Sequence, residues 1–510
     1  MQPMVRVFGA ALASSALVLG ASQVAIAAPE GQPEYKVGAI DWKPCEEMPT
    51  VDCGFLELPI DYAKPRGEKF QLAVSRRKAN DPSQRIGAMV INPGGPGGSG
   101  VDFSFGADRY FSKEIVDKFD VIGFDPRGVA RSAPIKCSAE LLQKTPSSYP
   151  KTKAEFDALV VFNKALREDC RKQSGAIFDN ASTAEVAQDI DSIRRALGEK
   201  KINYYGISYG TIMGQHYAEK FGKNIRAMII DSNMDHSLGT KQFLDSEART
   251  AEDSFNEWIK WNDRTATSPF AGQDLRKIWK DLLAKAERGE VPAPWDPTVK
   301  MTPEDLGGGV VSMAYGPSWQ RFAEQIKQII DGAQAPKSAF SAFAEETFDN
   351  PFPGIFCNDY NLRVSSWGEY QSLTKSEYRI APNTRGSSLG HGAMMGCVGF
   401  PKATNPQRTL KIKNAPKILL TNAKHDPATA YEWAVNAHRQ SRDTTVFVTY
   451  EGWGHGVYDR SECTLKINNE YLVSLKLPRN GTSCAAVEPP AGPSAMSVKP
   501  RIPAGPFSVA

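Results

Sequence analysis

The peptide Gly206-Ile207-Ser208-Tyr209-Gly210 constrains this chain more than any other stretch of it. Before it, Lys201-Ile202-Asn203-Tyr204-Tyr205 is a short β-branched and aromatic run. After it, Thr211 to Phe221 spaces Ile212, Met213, Tyr217 and Ala218 as a helix does. A G-x-S-x-G sequence between a strand and a helix predicts a sharp turn that lifts the serine hydroxyl above the end of a sheet. The flanking glycines belong there because a side chain at either position would crowd the adjoining strand and helix.

A serine hydroxyl is a poor nucleophile until a base takes its proton. The chain has six histidines. His455 stands in Gly452-Trp453-Gly454-His455-Gly456, after the run Thr445-Val446-Phe447-Val448-Thr449-Tyr450, which reads as a core strand. A glycine-flanked loop off a strand end lets an imidazole reach across the sheet edge, whereas His216 and His438 fall in helical stretches and read as packing residues. The orienting acid is expected between serine and histidine, after another strand. Pro416-Lys417-Ile418-Leu419-Leu420-Thr421 is that strand, and the loop after it carries His425-Asp426-Pro427, which makes Asp426 the candidate acid.

The remaining requirement is a site for the developing oxyanion. Ala88-Met89-Val90-Ile91 has a buried-strand pattern and runs into Asn92-Pro93-Gly94-Gly95-Pro96-Gly97-Gly98-Ser99-Gly100, a loop with little side-chain bulk over its amides. One donor amide is expected from this loop and the other from Tyr209, the residue after the serine. No Lys-Ser or Lys-Thr follows the glycines, which argues against a nucleotide-phosphate loop.

With Phe124-Asp125-Pro126-Arg127-Gly128 and Cys357-Asn358-Asp359, these segments resemble the secreted tripeptidyl aminopeptidases and related prolyl aminopeptidase-type serine hydrolases of the α/β-hydrolase superfamily. The resemblance runs from about Trp42 to about Cys484. It implies Ser208 as nucleophile, His455 as base, Asp426 as the triad acid, and the Gly95 and Tyr209 amides as oxyanion donors. It implies cleavage of peptides from a free N-terminus, with release of a tripeptide or a smaller unit. No metal or other cofactor is called for. Ile207 and Ala430 depart from the relatives' usual residues, in loops that shape the pocket.

A free N-terminus is a cation, so a lidded pocket that strips its water must return a carboxylate. Asp359 is the first choice, followed by Glu345 and Glu346. The same triad with an aromatic lid also serves esterases and lipases, and a hydrolase fold can carry a binding function alone, so a carboxylesterase and a non-enzymatic binding protein are the rival readings.

The organisation follows from placing serine and histidine in separate halves of a 510-residue chain. Arg6, the apolar stretch to Leu19 and Ala25-Ile26-Ala27 read as an export signal over residues 1–27, so the protein is expected in the cell envelope or outside the cell. The α/β-hydrolase core is expected at 28–235 and 406–485, with a parallel sheet flanked by helices. Between its halves, 236–405 turns to helical periodicity and reads as a lid. Trp258, Trp261, Trp279, Trp295, Trp319 and Trp367 fall there, and one or two are expected to touch ligand. Ser182-Thr183-Ala184-Glu185 reads as a capping box opening a core helix. Residues 486–510 are a Pro-rich tail expected to be disordered. The eight cysteines of an exported chain are expected to pair by proximity as Cys45–Cys53, Cys137–Cys170, Cys357–Cys397 and Cys463–Cys484. A net charge of +3 over this length excludes a nucleic-acid partner driven by charge, and no segment after Ala27 is apolar enough to insert stably in a bilayer.

Overall fold

Strands with an unbroken apolar run need cover on both faces, which a sheet sandwiched between helices supplies. In the computed structural model, which describes residues 35–332 and 346–489, such strands form the middle of a ten-stranded sheet. In chain order they are β1 (Lys43–Pro44), β2 (Asp52–Pro59), β3 (Lys69–Arg77), β4 (Gly87–Asn92) and β5 (Phe119–Phe124), then β6 (Ile202–Ile207), β7 (Ile225–Asp231), β8 (Ile418–His425), β9 (Thr445–Trp453) and β10 (Thr482–Cys484). Their order across the sheet is β1-β2-β3-β5-β4-β6-β7-β8-β9-β10. The β1–β2, β2–β3 and β3–β5 pairings are antiparallel and all others parallel. β4 and β6 are buried along their whole length. The export signal expected at 1–27, Glu345, and the tail beyond residue 489 lie outside the described residues.

Within the core, α1 (Gly100–Phe105), α2 (Lys153–Ser174), α3 (Thr183–Ala196) and α4 (Tyr209–Phe221) precede β7. The capping box read at Ser182-Thr183-Ala184-Glu185 does not form. α3 begins after Ser182, but the serine side chain makes no capping bond. The Asp359 carboxylate, remote in sequence, takes the Thr183 amide instead. Glu185 stands 3.9 Å from the buried guanidinium of Arg127 rather than turning back to cap. A tertiary acceptor has replaced the local one.

Between β7 and β8 the chain is mostly helical, through α5 (Thr240–Arg264), α6 (Leu275–Glu287), α7 (Pro303–Ala314), α8 (Trp319–Ile330), α9 (Pro351–Asp359), α10 (Trp367–Ile380) and α11 (Leu389–Cys397). α5 to α8 build an apolar core of their own. In it Trp258 meets Trp279 edge-on at 5.7 Å and Phe322 at 4.8 Å. Trp261 and Trp319 belong to the same cluster, Trp295 is half exposed, and Trp367 stacks on Tyr370. α12 (Tyr431–Gln440) and α13 (Glu462–Ser474) complete the core.

The disulfides are Cys45–Cys53, Cys137–Cys170, Cys357–Cys397 and Cys463–Cys484, the pairing expected from proximity. The third ties α9 to α11, and the fourth ties α13 to β10. Among the described residues no helix is long and apolar enough to cross a membrane.

Candidate active site

Ser208 lies between β6 and α4 with φ 57° and ψ −125°, a strained geometry for a residue with a side chain. Close packing holds the turn. A Cβ on Gly206 would come within 2.6 Å of the Gly210 carbonyl oxygen, and one on Gly210 within 2.8 Å of the Asn92 carbonyl oxygen. The Ser208 amide donates to the Asp231 carbonyl at the end of β7, at 3.0 Å. Tyr209 is the first residue of α4, where an amide has no acceptor within its own helix. Gly95, Ser208 and Tyr209 all line one pocket.

The loop carrying Gly95 is braced at both ends. The Asn92 side chain accepts the Gly94 amide at 2.9 Å. At the far end Ser99 caps α1 and donates its hydroxyl to Asp125 at 2.5 Å, and Asp125 also accepts the Val101 and Arg131 amides. Arg127 of the same Asp-Pro-Arg-Gly segment is wholly buried and doubly hydrogen-bonded to Asp189 on α3, each contact 2.7 Å. That segment therefore works as scaffold around the loop.

His455 and Asp426 meet as the chain order predicts. Nδ1 of His455 lies 2.9 and 3.1 Å from the two Asp426 oxygens, both residues nearly fully buried. Asp426 also accepts the Ala428 and Thr429 amides and the Thr429 hydroxyl. Burial pushes the Asp426 carboxyl up, but His455 and the amide donors outweigh it and hold the group below its ordinary value. The histidine loop is pinned from beneath by the strand after the elbow. The Gly456 amide donates to Ser232 at 2.8 Å, and the Val457 amide to the Asp231 carboxylate at 2.9 and 3.0 Å. Asp231 thus holds Ser208 by its carbonyl and the histidine loop by its side chain.

Residues 87–461 match the alpha/beta hydrolase fold family. The chain belongs to the α/β-hydrolase family. It is 30% identical over 487 residues, 88% of this chain and 86% of that protein, to a tripeptidyl aminopeptidase of Streptomyces lividans. It is 27% identical to serine protease Hip1 of Mycobacterium tuberculosis strain H37Rv, over 93% of this chain and 96% of that protein. Carboxylesterase B of the same strain is 27% identical, over 87% of this chain and 89% of that protein. With these relatives and this fold, the α/β-hydrolase described here is an enzyme, a serine hydrolase, and the non-enzymatic reading falls.

The pocket departs from expectation in its aromatic lining and in its carboxylate. Its aromatic lining residues are Tyr209, Phe243, Tyr315, Phe352, Phe356 and Trp433, and none of the six tryptophans between β7 and β8 is among them. Those at 258, 261, 279 and 319 belong to the apolar core that α5 to α8 form among themselves.

Asp359, the first choice for the substrate amine, is fully buried and absent from the lining. Its carboxylate is already taken by Thr183, Tyr209 and Asn405. Glu346 is exposed, beside a short strand that pairs with residues 136–138.

The carboxylate that does line the pocket is Glu247 on α5. It is 1% exposed, and neither oxygen has a hydrogen-bond partner. Burial, and then the Asp426 charge, push its carboxyl well above the ordinary range. The nearby Gly390 amide tempers this without completing a bond. A signal for it existed in the sequence. Phe243, Leu244, Ala248, Ala251 and Phe255 set the buried face of α5, and Glu247 falls on that face among them.

Among the described residues, Asp253, Glu257 and His425 place ligand-type atoms within 4.8 Å of one another. Glu257 already accepts from the Trp453 indole at 2.8 Å and the Lys260 ammonium at 2.6 Å, and His425 meets Asp253 at 2.8 Å. The group joins α5 to the end of β8 and to the Trp453 indole of β9 through side-chain hydrogen bonds.

Proposed function

We propose that this serine hydrolase is an exported aminopeptidase that takes peptides by their free N-terminus and releases tripeptides or smaller units. In this reading Ser208 attacks the scissile carbonyl while His455 takes its proton and passes it to the leaving amine. Asp426 keeps the imidazole oriented and stabilises its cation, and the Gly95 and Tyr209 amides receive the oxyanion. Water then releases the acyl group by the same route. Export rests on the charged and apolar pattern of residues 1–27 together with the disulfides.

Glu247 is the observation that carries the peptide reading. An unpaired carboxylate among Phe243, Phe356 and Trp433 is costly to keep unless a ligand brings the opposite charge. An ammonium does so; a neutral ester does not. The apolar remainder of the pocket is what supports the esterase as second reading.

A matched pair of peptide anilides, one with a free and one with an acetylated N-terminus, separates the two. Acetylation is expected to lower kcat/KM by roughly 100-fold or more, and Glu247→Gln to raise KM for the free peptide by a similar factor. Turnover of a neutral nitrophenyl ester by Glu247→Gln should stay close to the parent's. Equal cleavage of both peptides would leave the esterase reading in possession of the site.

A further inference from the structure

The residue after the elbow serine is a buried tyrosine whose hydroxyl reaches a polar cluster around Asp359. Its hydroxyl donates to the Asp359 carboxylate at 2.7 Å, and its ring lies 6.1 Å from that of Phe356. Asp359 is fully buried, and among the described residues no Lys or Arg side chain is hydrogen-bonded to its carboxylate. It holds the Thr183 amide at 3.0 and 3.1 Å, the Thr183 hydroxyl at 3.0 Å and the Asn405 amide nitrogen at 2.7 Å, besides Tyr209. The nearby His216 is kept neutral by burial and by His236, with its pKa lowered to about 4. The carboxylate charge is therefore carried by hydroxyl and amide donors and by the N-terminus of α3. A network satisfied at every acceptor is stiff.

Asp359 is also the last residue of α9, the lid helix whose Phe352 and Phe356 form part of the pocket wall. Cys357, two residues before it, is bonded to Cys397 at the end of α11, and α11 contributes Leu389, Gly390 and Ala393 to the same wall. The Tyr209–Asp359 bond is thus a direct polar link between the lid wall and the nucleophile turn.

We propose that Asp359 is a positioning residue of the oxyanion site. It fixes Tyr209, and through Tyr209 the backbone amide that receives the oxyanion, and so couples that amide to the lid helix contacting substrate. The inference rests on the reading of Tyr209 as an oxyanion donor. The physical reason is geometric: an oxyanion donor acts only within a narrow distance of the atom that develops charge, so a loosened N-terminal turn of α4 weakens transition-state binding without weakening substrate binding.

Tyr209→Phe is the cleanest test, because it keeps the ring and removes the hydroxyl that reaches Asp359. Its kcat is expected to fall about 10- to 100-fold on both a peptide anilide and a nitrophenyl ester, with KM changed by less than about threefold. Affinity for a peptide boronic acid, which forms a tetrahedral adduct, should fall by the same factor as kcat, while affinity for the product peptide holds. Asp359→Asn should do clearly less harm when added to Tyr209→Phe than it does alone, since the two variants share the Tyr209–Asp359 interaction. If Asp359→Asn does not fold, Tyr209→Phe alone decides. Wild-type kcat in folded Tyr209→Phe, or equal losses of boronate and product affinity, would overturn the proposal. Ser208→Ala run alongside keeps the readings apart, because residual turnover in that variant would overthrow the triad assignment, whereas a dead Ser208→Ala beside a fully active Tyr209→Phe overthrows only the role of Asp359.

Discussion

At the residue scale, the site places carboxylates in contrasting surroundings. Asp426 is buried but served by an imidazole and by amides, so its charge is stabilised; Glu247 is buried and unserved, so its charge is penalised. Asp426→Asn removes the charge that stabilises the His455 imidazolium and lets an amide N–H face Nδ1, favouring the wrong tautomer, and kcat is expected to drop on the order of 10³- to 10⁴-fold with little change in KM. Steady-state kinetics on either substrate class checks this. For Glu247 the linkage runs the other way. A folded-state pKa raised above the ordinary glutamate value of 4.5 means that the folded protein holds its proton more tightly, so stability falls as pH rises from that value through the folded pKa. Glu247→Gln is therefore expected to stabilise the free enzyme by about 1–3 kcal/mol at neutral pH and hardly at all below about pH 4. Thermal melts across that range would show a difference that widens with pH; a constant or shrinking one contradicts the assignment.

At the element scale, the strand, turn and helix around Ser208 were legible because the pattern is local: apolar residues before, helical spacing after, glycines between. The structure adds that these glycines are required by contacts across the sheet. A methyl on Gly210 would strike both Asn92 oxygens, at 2.8 and 2.9 Å, and the Asn92 side chain is the acceptor that braces Gly94. Gly210→Ala is expected to cost roughly 1–3 kcal/mol by overpacking and to reduce turnover, because the glycine loop must shift to admit it. Denaturant melts and kinetics on the same preparation measure both effects. What local pattern could not supply was the start of α3. Ser182 and Glu185 have the right types and spacing for a capping box, yet Asp359 took the amide, because a buried carboxylate needs donors and the fully buried Thr183 amide lies within its reach. The same competition removed Asp359 from the list of amine-binding groups.

At the scale of the whole molecule, the disulfides close loops of very different length. Cys45–Cys53 spans 8 residues in sequence and Cys357–Cys397 spans 40. On loop entropy alone, replacing the second pair by serine should cost about 1.4 kcal/mol more than replacing the first. Comparative melts of the two double variants test it. The longer pair also joins the two lid helices that wall the pocket, so its loss should raise KM as well as lower stability.

The sequence by itself determined the sheet, the elbow, the meeting of His455 with Asp426 and the cysteine pairing. Each depends on residues close together in the chain or on an order the fold imposes. Which carboxylate faces the pocket was decided only in three dimensions. Glu247 and Asp359 both sit on lid helices, and both are buried. One meets Thr183, Tyr209 and Asn405, brought to it from three distant segments, while the other lines the pocket that holds Ser208 with neither oxygen hydrogen-bonded among the described residues. A charge's role depends on which donors the fold delivers to it, and those donors are set by tertiary packing rather than by neighbours in sequence.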